Sequence, residues 1–373
     1  DGVSYLVIAL LVKGFPNLIP GIMAIGGQIV LSFAWCSLAH QWYFRSFPPQ
    51  KTMIIYDVRE GMENLIDQYE MERKFEIKEI LQVQIVLENL EKLNNIETVF
   101  LSGIHSHERN IILKYCIKHD IQVYVIPRVG DVLMSGAEQV HLFHLPMLRT
   151  GRYNPNPEYL FLKRLADLLI AGSATILLSP IMIITAISIK IYDRGPVFYK
   201  QIRLTKDGKE FGVLKFRSMK VDAEKDGVAR LSSGENDPRI TPIGRIIRKC
   251  RIDELPQLLN IIKGDMAIVG PRPERPSIAA EYEETMPEFH LRLQAKAGLT
   301  GYAQVYGKYN TTPYDKLLMD LMYISHPSLL EDLFIMFATV KILFMPESTE
   351  GVEEGQITAM DNKTCCKKTE NNQ

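Results

Sequence analysis

The chain has 373 residues, 46% of them apolar, and a formal net charge of −1. That length allows two domains, and the balanced charge gives no reason to expect nucleic acid as a partner. The five cysteines, Cys36, Cys116, Cys250, Cys365 and Cys366, make an odd total with no metal-type spacing, which argues against a disulfide framework and fits a reducing cytoplasmic setting.

The chain starts at Asp1 rather than Met, so further sequence is expected upstream. Val3 to Val12 is apolar and stops at Lys13, like the tail of a membrane helix. Leu18 to Phe44 is almost wholly apolar. Trp35, Trp42 and Tyr43 lie towards its end, and Arg45 follows. Span length, interfacial aromatics and a closing cation together predict a transmembrane region over residues 1–47. No charged n-region or cleavage site marks a signal peptide. A buried core helix is the competing account of the same residues.

Pro48-Pro49 opens a linker, and residues 51–148 read as an α/β domain. Strands are expected at Met53–Val58, Thr98–Leu101 and Ile121–Ile126. Helices are expected at Met62–Tyr69, Leu81–Asn94 and Glu108–His119. Strands alternating with helices predict a parallel, Rossmann-like sheet. The first turn reads REGMENL, without the glycines that let a backbone approach a pyrophosphate, so the domain is expected to be regulatory or structural. His105-Ser106-His107 lacks a third metal ligand and reads as a polar loop.

Arg149 to Pro157 is a second linker, and residues 149–346 form the next expected domain. Leu165 to Ile191 is one apolar run, about 40 Å long as a helix. Pro180 falls mid-run and removes an N–H at Ser179-Pro180. Lys163 and Arg164 precede the run, while Lys190, Arg194, Lys200 and Arg203 follow its core, so neither end is marked as the outside. A helix that enters and leaves by the same leaflet satisfies both features; a kinked spanning helix is the alternative. Val221 to Pro238 reads as a mobile loop. Ile240, Ile243, Ile246, Ile247 and Cys250 alternate with Arg245, Arg248 and Lys249, which suits an interface carrying anionic lipid as well as a core-facing helix. Asp315 to Phe344 reads as helix. The tail, residues 347–373, reads as disordered, and its Cys365-Cys366 pair is a weak acylation signal.

Arg248 to Pro273 holds the densest chemistry, RKCRIDELPQLLNIIKGDMAIVGPRP. Asp253 and Glu254 precede Leu255, Leu258, Leu259 and Ile262 at helical spacing, and Gly264 is placed to end the helix. A helix start with Arg245, Arg248, Lys249, Arg251, Lys263, Arg272 and Arg275 near it attracts phosphate and holds a carboxylate ionised. The same pair is also ordinary helix-start chemistry, and on residue types alone the N-cap is the simpler account.

The stretch DELPQLLNIIKGDMAIVGPRP closely resembles the signature of the bacterial sugar transferases, the monotopic polyprenyl-phosphate phosphoglycosyl transferases. LLSPIM around Ser179-Pro180, GPVFYKQIRLTKDGKEFGVLKFRSM from Gly195, DPRITPIGRIIRK from Asp237 and KAGLTGYAQVYGK from Lys296 resemble it too. The resemblance covers roughly residues 159–344. It implies an α+β membrane-associated catalytic domain with a re-entrant helix, on the cytoplasmic face of the bacterial inner membrane. It implies transfer of a sugar-1-phosphate from a UDP-sugar to polyprenyl phosphate, with loss of UMP. Asp253 matches the nucleophile, and Glu254 matches its acidic partner; both would serve Mg²⁺. Lys215, Arg217, Arg248, Pro271, Arg272 and Pro273 match substrate-binding positions, and Asp320 in LMDLMYI matches a family aspartate. Ser179 and Pro180 match the break in the re-entrant helix. Where the family often has Trp before Gln, this chain has Ala303-Gln304. The lipid bilayer is the expected partner and a homodimer is allowed; nucleic acid is not expected. The non-enzyme alternative is a membrane-anchored regulator whose α/β domain senses a nucleotide.

Overall fold

The computed structural model describes residues 18–59, 61–69, 71–221, 237, 239–307 and 311–343. The Val3–Val12 stretch, nearly all of the 221–238 loop and the tail with Cys365 and Cys366 lie outside the described residues. The chain divides into two compact units, Asp1–Ile126 and Pro127–Gln373.

The first unit opens with α1, Leu18–Ser46. It is apolar and long enough to cross a membrane, and none of its most apolar window is buried. Trp35 and Trp42 are exposed along it, and Arg45 stands in its last turn. A four-stranded parallel sheet follows, in the order β2 (Phe75–Gln82), β1 (Gln50–Tyr56), β3 (Thr98–Ser102), β4 (Gln122–Val125). The alternation of β1 explains its two faces. Met53 and Ile55 pack with Val86 of α3 (Val83–Glu88) and with Ile112 and Cys116 of α4 (Ser106–Lys118). Ile54 points the other way, to Ile66 of α2 (Met62–Gln68), Phe75 and Phe100.

One strand departs from expectation. Phe75–Gln82 precedes the stretch read as helix from Leu81, and that helix shrinks to α3 followed by a 3-10 turn at Leu90–Asn95. The strand FEIKEILQ sits at the sheet edge, mostly exposed, so its charged residues hide the apolar alternation that marks a strand. Its pairing with β1 also slips between Thr52 and Met53.

The second unit begins before the linker read from sequence. Helix α5 (Val129–Ser135) belongs to it: Val132 is buried in its core, and Ser325 Oγ donates to the Val132 carbonyl at 3.1 Å. The antiparallel hairpin β5 (Glu138–Leu142) and β6 (Leu145–Arg149) follows. Its turn residues, Phe143 and His144, have φ of 56° and 60°, the pattern of a type I′ turn.

Helix α6, Pro157–Asp193, runs through Pro180 without interruption and is also long and apolar enough to cross a membrane. Its four buried residues lie in two pairs near its ends, Asp167 with Ala171 and Thr185 with Ile189. Ile176 and Leu177, between them, are each 75% exposed. The hairpin β7 (Phe198–Leu204) and β8 (Glu210–Phe216) leads to α7 (Pro242–Lys249), a 3-10 turn at Ile252–Glu254 and α8 (Gln257–Lys263). Two short parallel strands, β9 (Ala267–Val269) and β10 (Gly298–Thr300), enclose α9 (Pro276–Thr285) and a 3-10 stretch, Pro287–Gln294. At Gly270 and Gly298 an added Cβ would strike neighbouring backbone, so the two chain segments approach as only glycine allows.

After α10 (Tyr302–Val305), the single helix expected over 315–344 is two, α11 (Pro313–Ser325) and α12 (Leu329–Leu343). Pro327 separates them, because the residue before a proline is pushed out of helical geometry. Leu317 and Leu321 of α11 and Ile335 of α12 are fully buried with Ile261, Met266 and Val269.

Candidate active site

Asp253 and Glu254 occupy the 3-10 turn between α7 and α8. Arg251, just before it, takes a left-handed φ of 52°, which turns the chain out of α7. Pro256 caps α8, where its missing N–H costs nothing. Gly264 ends α8 with φ 98°, as expected, and Arg164 of α6 donates to the Ile261 and Ile262 carbonyls at that end. The apolar face of α8 is rotated from the expected one. Leu258 and Ile261 are buried, whereas Leu259 and Ile262 are exposed. Asn260 causes part of this: its side chain accepts from Leu214 N and donates to Gly212 O, both at 2.9 Å, so it must face β8.

Ile252 and Leu255 bracket the carboxylate pair and pack against Ile189, Phe216 and Ile247. The C-terminal part of α6 therefore supports the turn directly. Glu254 is the meeting point of three elements. Lys215 of β8 donates to its Oε1 at 2.8 Å, and Arg272 Nη2 lies 3.7 Å from the same atom. Burial alone would raise the Glu254 carboxyl, but Lys215, then Arg272 and Arg251, outweigh it and hold the group well below the usual carboxylate range. Asp253 behaves differently. Burial first, and then the charge of Glu254, push it up to about 6, against the pull of Lys215 and Arg248. The surrounding cations act most strongly on Glu254; at Asp253, Lys215 and Arg248 only partly offset burial and the neighbouring charge.

Pro271, Arg272 and Pro273 form a rigid shelf. Four successive carbonyls from Pro271 to Glu274 each accept a hydrogen bond. Their donors are Gly298 N at 2.9 Å, Arg292 Nη2 at 2.7 Å, Arg203 Nη1 at 3.0 Å and Leu204 N at 2.9 Å. With the backbone tied on one side, the half-exposed Arg272 side chain is free to reach Glu254. Sequence reading missed the residues that hold this shelf. Arg292 pairs with Asp320 at 2.6 Å and approaches Glu274 at 3.9 Å, and Arg203 approaches Glu274 at 3.5 Å. The signal was thin: Glu274 directly follows the Pro-Arg-Pro motif, but nothing local names its partners.

Two expected contacts lie elsewhere. Asp320 is 1% exposed under the shelf, in the Arg292 pair, and supports Pro271–Pro273 from behind. Arg217 is buried, and its Nη2 bonds Asp193 at the end of α6. Its Nε and Nη1 have no partner among the described residues. Arg217 therefore ties α6 to the end of β8.

No group of three or more potential metal ligands occurs among the described residues. The adjacent carboxylates still fit Mg²⁺, which binds through one or two carboxylates when substrate phosphates complete its shell. His105 lies 3.9 Å from Asp57 and joins no such group.

The family described as Bacterial sugar transferase matches residues 158–346. A UDP-N-acetylgalactosamine-undecaprenyl-phosphate N-acetylgalactosaminephosphotransferase of Aeromonas hydrophila is 37% identical over 234 residues, 62% of this chain and 54% of that protein. A UDP-glucose:undecaprenyl-phosphate glucose-1-phosphate transferase of Escherichia coli (strain K12) is 37% identical over 212 residues, 56% of this chain and 44% of its own length. The chain thus spans about half the length of these relatives. An exopolysaccharide production protein PSS of Rhizobium leguminosarum bv. phaseoli is 41% identical over 190 residues, 48% of this chain but 94% of that protein. The family match takes in nearly all of α6, the carboxylate turn and the Pro-Arg-Pro shelf, and the chain belongs to the bacterial sugar transferase family.

Proposed function

We propose that this chain transfers a sugar-1-phosphate from a UDP-sugar to polyprenyl phosphate at a cytoplasmic membrane face, through a covalent intermediate on Asp253. The observation that carries the reading is the division of labour in the Asp253-Glu254 pair. Glu254 is locked by Lys215 and Arg272, while Asp253 keeps a more basic carboxylate beside it. The names of the relatives, which act on UDP-sugars and undecaprenyl phosphate, support the substrate class.

In the first half, an Asp253 oxygen attacks the sugar-bearing phosphorus. The bond from that phosphorus to the bridging oxygen breaks, and UMP leaves with the electron pair. In the second half, a phosphate oxygen of the polyprenyl acceptor attacks the same phosphorus, and the aspartyl oxygen leaves. Arg248 and Arg272 offset charge on the phosphates, and Lys215 holds Glu254 in place. Asp253 and Glu254 would hold Mg²⁺, which would supply positive charge to offset that of the diphosphate. The acceptor is a lipid, so the site must lie at the interface. The packing of Ile252 and Leu255 on the end of α6 supports this, and α6 is read as re-entrant around Ser179-Pro180.

The test uses UDP-sugar labelled in the sugar, without acceptor. Stoichiometric label is expected on the protein, mapping to the peptide with Asp253 and leaving on addition of polyprenyl phosphate. Asp253→Asn is expected to form no adduct. Normal turnover without any adduct would overturn the covalent route.

A further inference from the structure

One face of the β7–β8 hairpin carries Lys215, the residue that holds Glu254. The register shows what shares that face. Tyr199 pairs with Lys215, Gln201 with Val213 and Arg203 with Phe211. Opposite residues of an antiparallel ladder lie on the same side, so Tyr199, Gln201 and Arg203 form a row that starts beside Lys215. Each step of two residues advances the row about 7 Å along the strand, away from Lys215. Its far end meets the Pro-Arg-Pro shelf, where Arg203 Nη1 donates to the Pro273 carbonyl at 3.0 Å.

The half-buried Gln201 amide is aimed by its neighbour. Arg203 donates to Gln201 Oε1 twice, from Nε at 3.0 Å and from Nη2 at 2.6 Å. A guanidinium only donates, so this contact identifies the amide oxygen and fills its lone pairs. Nε2 therefore turns the other way. One of its N–H groups points at Tyr199 Oη at a long 3.4 Å, and the other has no partner among the described residues. Arg203 is fixed in turn by Pro273 and by Glu274 at 3.5 Å, and burial lowers it only to about 10, so it keeps its charge at neutral pH. A buried guanidinium thus holds one neutral amide in one orientation.

What that amide can take is narrow. With its oxygen occupied, it offers donors only. It carries no charge, and the charge of the phosphates is met by Arg248 and Arg272. A sugar hydroxyl both donates and accepts, and would find half of its partners here. A base carbonyl only accepts. Uracil has a carbonyl oxygen where cytosine has an amino group, so a fixed donor suits the first and opposes the second. The Tyr199 ring, 39% exposed, adds apolar surface beside the donor.

We infer that Gln201 reads the base of the sugar-nucleotide: Nε2 donates to the uracil carbonyl that cytosine lacks, and Arg203 is the positioning residue that aims it. The assignment rests on the UDP-sugar reading above and adds to it the group that tells uracil from cytosine. Because Arg203 also grips Pro273, the base reader and the shelf that carries Arg272 are located by one side chain.

The test uses the full chain in detergent, with UMP and CMP as calorimetric probes and UDP-sugar as substrate. Gln201→Glu keeps an oxygen for Arg203 and replaces the outward amide by an acceptor. UMP affinity is expected to fall about tenfold, CMP affinity much less, so the preference for UMP shrinks. KM for UDP-sugar should rise by the same factor, with kcat within about twofold and the melting temperature unchanged. Arg203→Lys lacks the planar fork and is expected to lose the same preference, whatever its stability. Equal weakening of UMP and CMP would put the amide on a phosphate. A change in sugar selectivity with UMP binding intact would put it on the sugar. Either result, UMP binding as tight as in the parent, or a parent without preference for UMP over CMP would overturn the assignment and leave the transferase reading standing. A parent that binds neither nucleotide and turns over no UDP-sugar would overturn both.

Discussion

Asp320 shows how a residue matched to a family position acquires its role from burial. It is raised from 3.8 to about 6, first by burial, with Glu274 adding to the effect and Arg292 opposing it. The native chain therefore holds this proton more tightly than the unfolded chain. The stability it supplies is fully present below about pH 4 and is lost as pH rises through about 6. A difference of that size is worth roughly 2–3 kcal/mol. Asp320→Asn cannot titrate, so its melting temperature is expected to fall less than that of the parent between pH 4 and 7. Identical slopes would show that Asp320 does not carry the linkage. At this scale the sequence was informative about Asp253, Glu254, Lys215 and Arg272, because each lies within a contiguous motif. It was uninformative about Arg203, Glu274 and Arg292. Their partners lie on β7, α11 and the 3-10 stretch at 287–294, and no local pattern links residues so far apart in the chain. Arg217 was read as a substrate contact because its motif also holds Lys215, yet alternate strand residues face opposite ways only in a regular strand, and Arg217 lies just past the end of β8.

Elements are joined at the site by side chains that satisfy backbone groups, and Asn260 is the clearest case. It is 3% exposed and bridges α8 to two backbone groups of β8, the strand that carries Lys215. Asn260→Ala would leave Leu214 N and Gly212 O without these bonds in a buried setting, a loss of about 2–4 kcal/mol in total. Because β8 would shift relative to the carboxylate turn, adduct formation with labelled UDP-sugar should slow more than tenfold in protein that remains folded. An Asn260→Ala protein with the parent melting temperature and labelling rate would show the bridge to be dispensable. Regular elements were legible where the apolar pattern is plain, as in β1, an apolar run buried on both faces, and α4, buried on one. They were hidden where it is not: β2 lies exposed at an edge, and α8 presents Leu259 and Ile262 outward while burying Gln257 and Asn260. An apolar-periodicity reading assigns the wrong face to such a helix, because polar side chains here are buried to serve neighbouring backbone.

For the molecule as a whole, the proposed reaction at a bilayer turns on the disposition of α6. If α6 is re-entrant, single cysteines near Lys163 and near Arg194 are both expected to react with a membrane-impermeant maleimide from the cytoplasmic side only. Reaction from opposite sides would establish a spanning helix. Replacing Pro180 by Ala should favour that spanning form, since it restores the missing N–H. The two buried ends of α6 have a further consequence. Asp167 accepts the N–H of Ile268 inside the core, Ala171 packs in the same core, and Ile189 packs beside the carboxylate turn. The apolar helix α6 is thus a structural member of its unit, and a truncation starting near Gly195 would leave an unsatisfied strand amide and two open apolar hollows. A water-soluble version should therefore be sought by recolouring the outside of this helix, at Ile176, Leu177, Ile183, Ile184 and Ile187, with the inward residues kept.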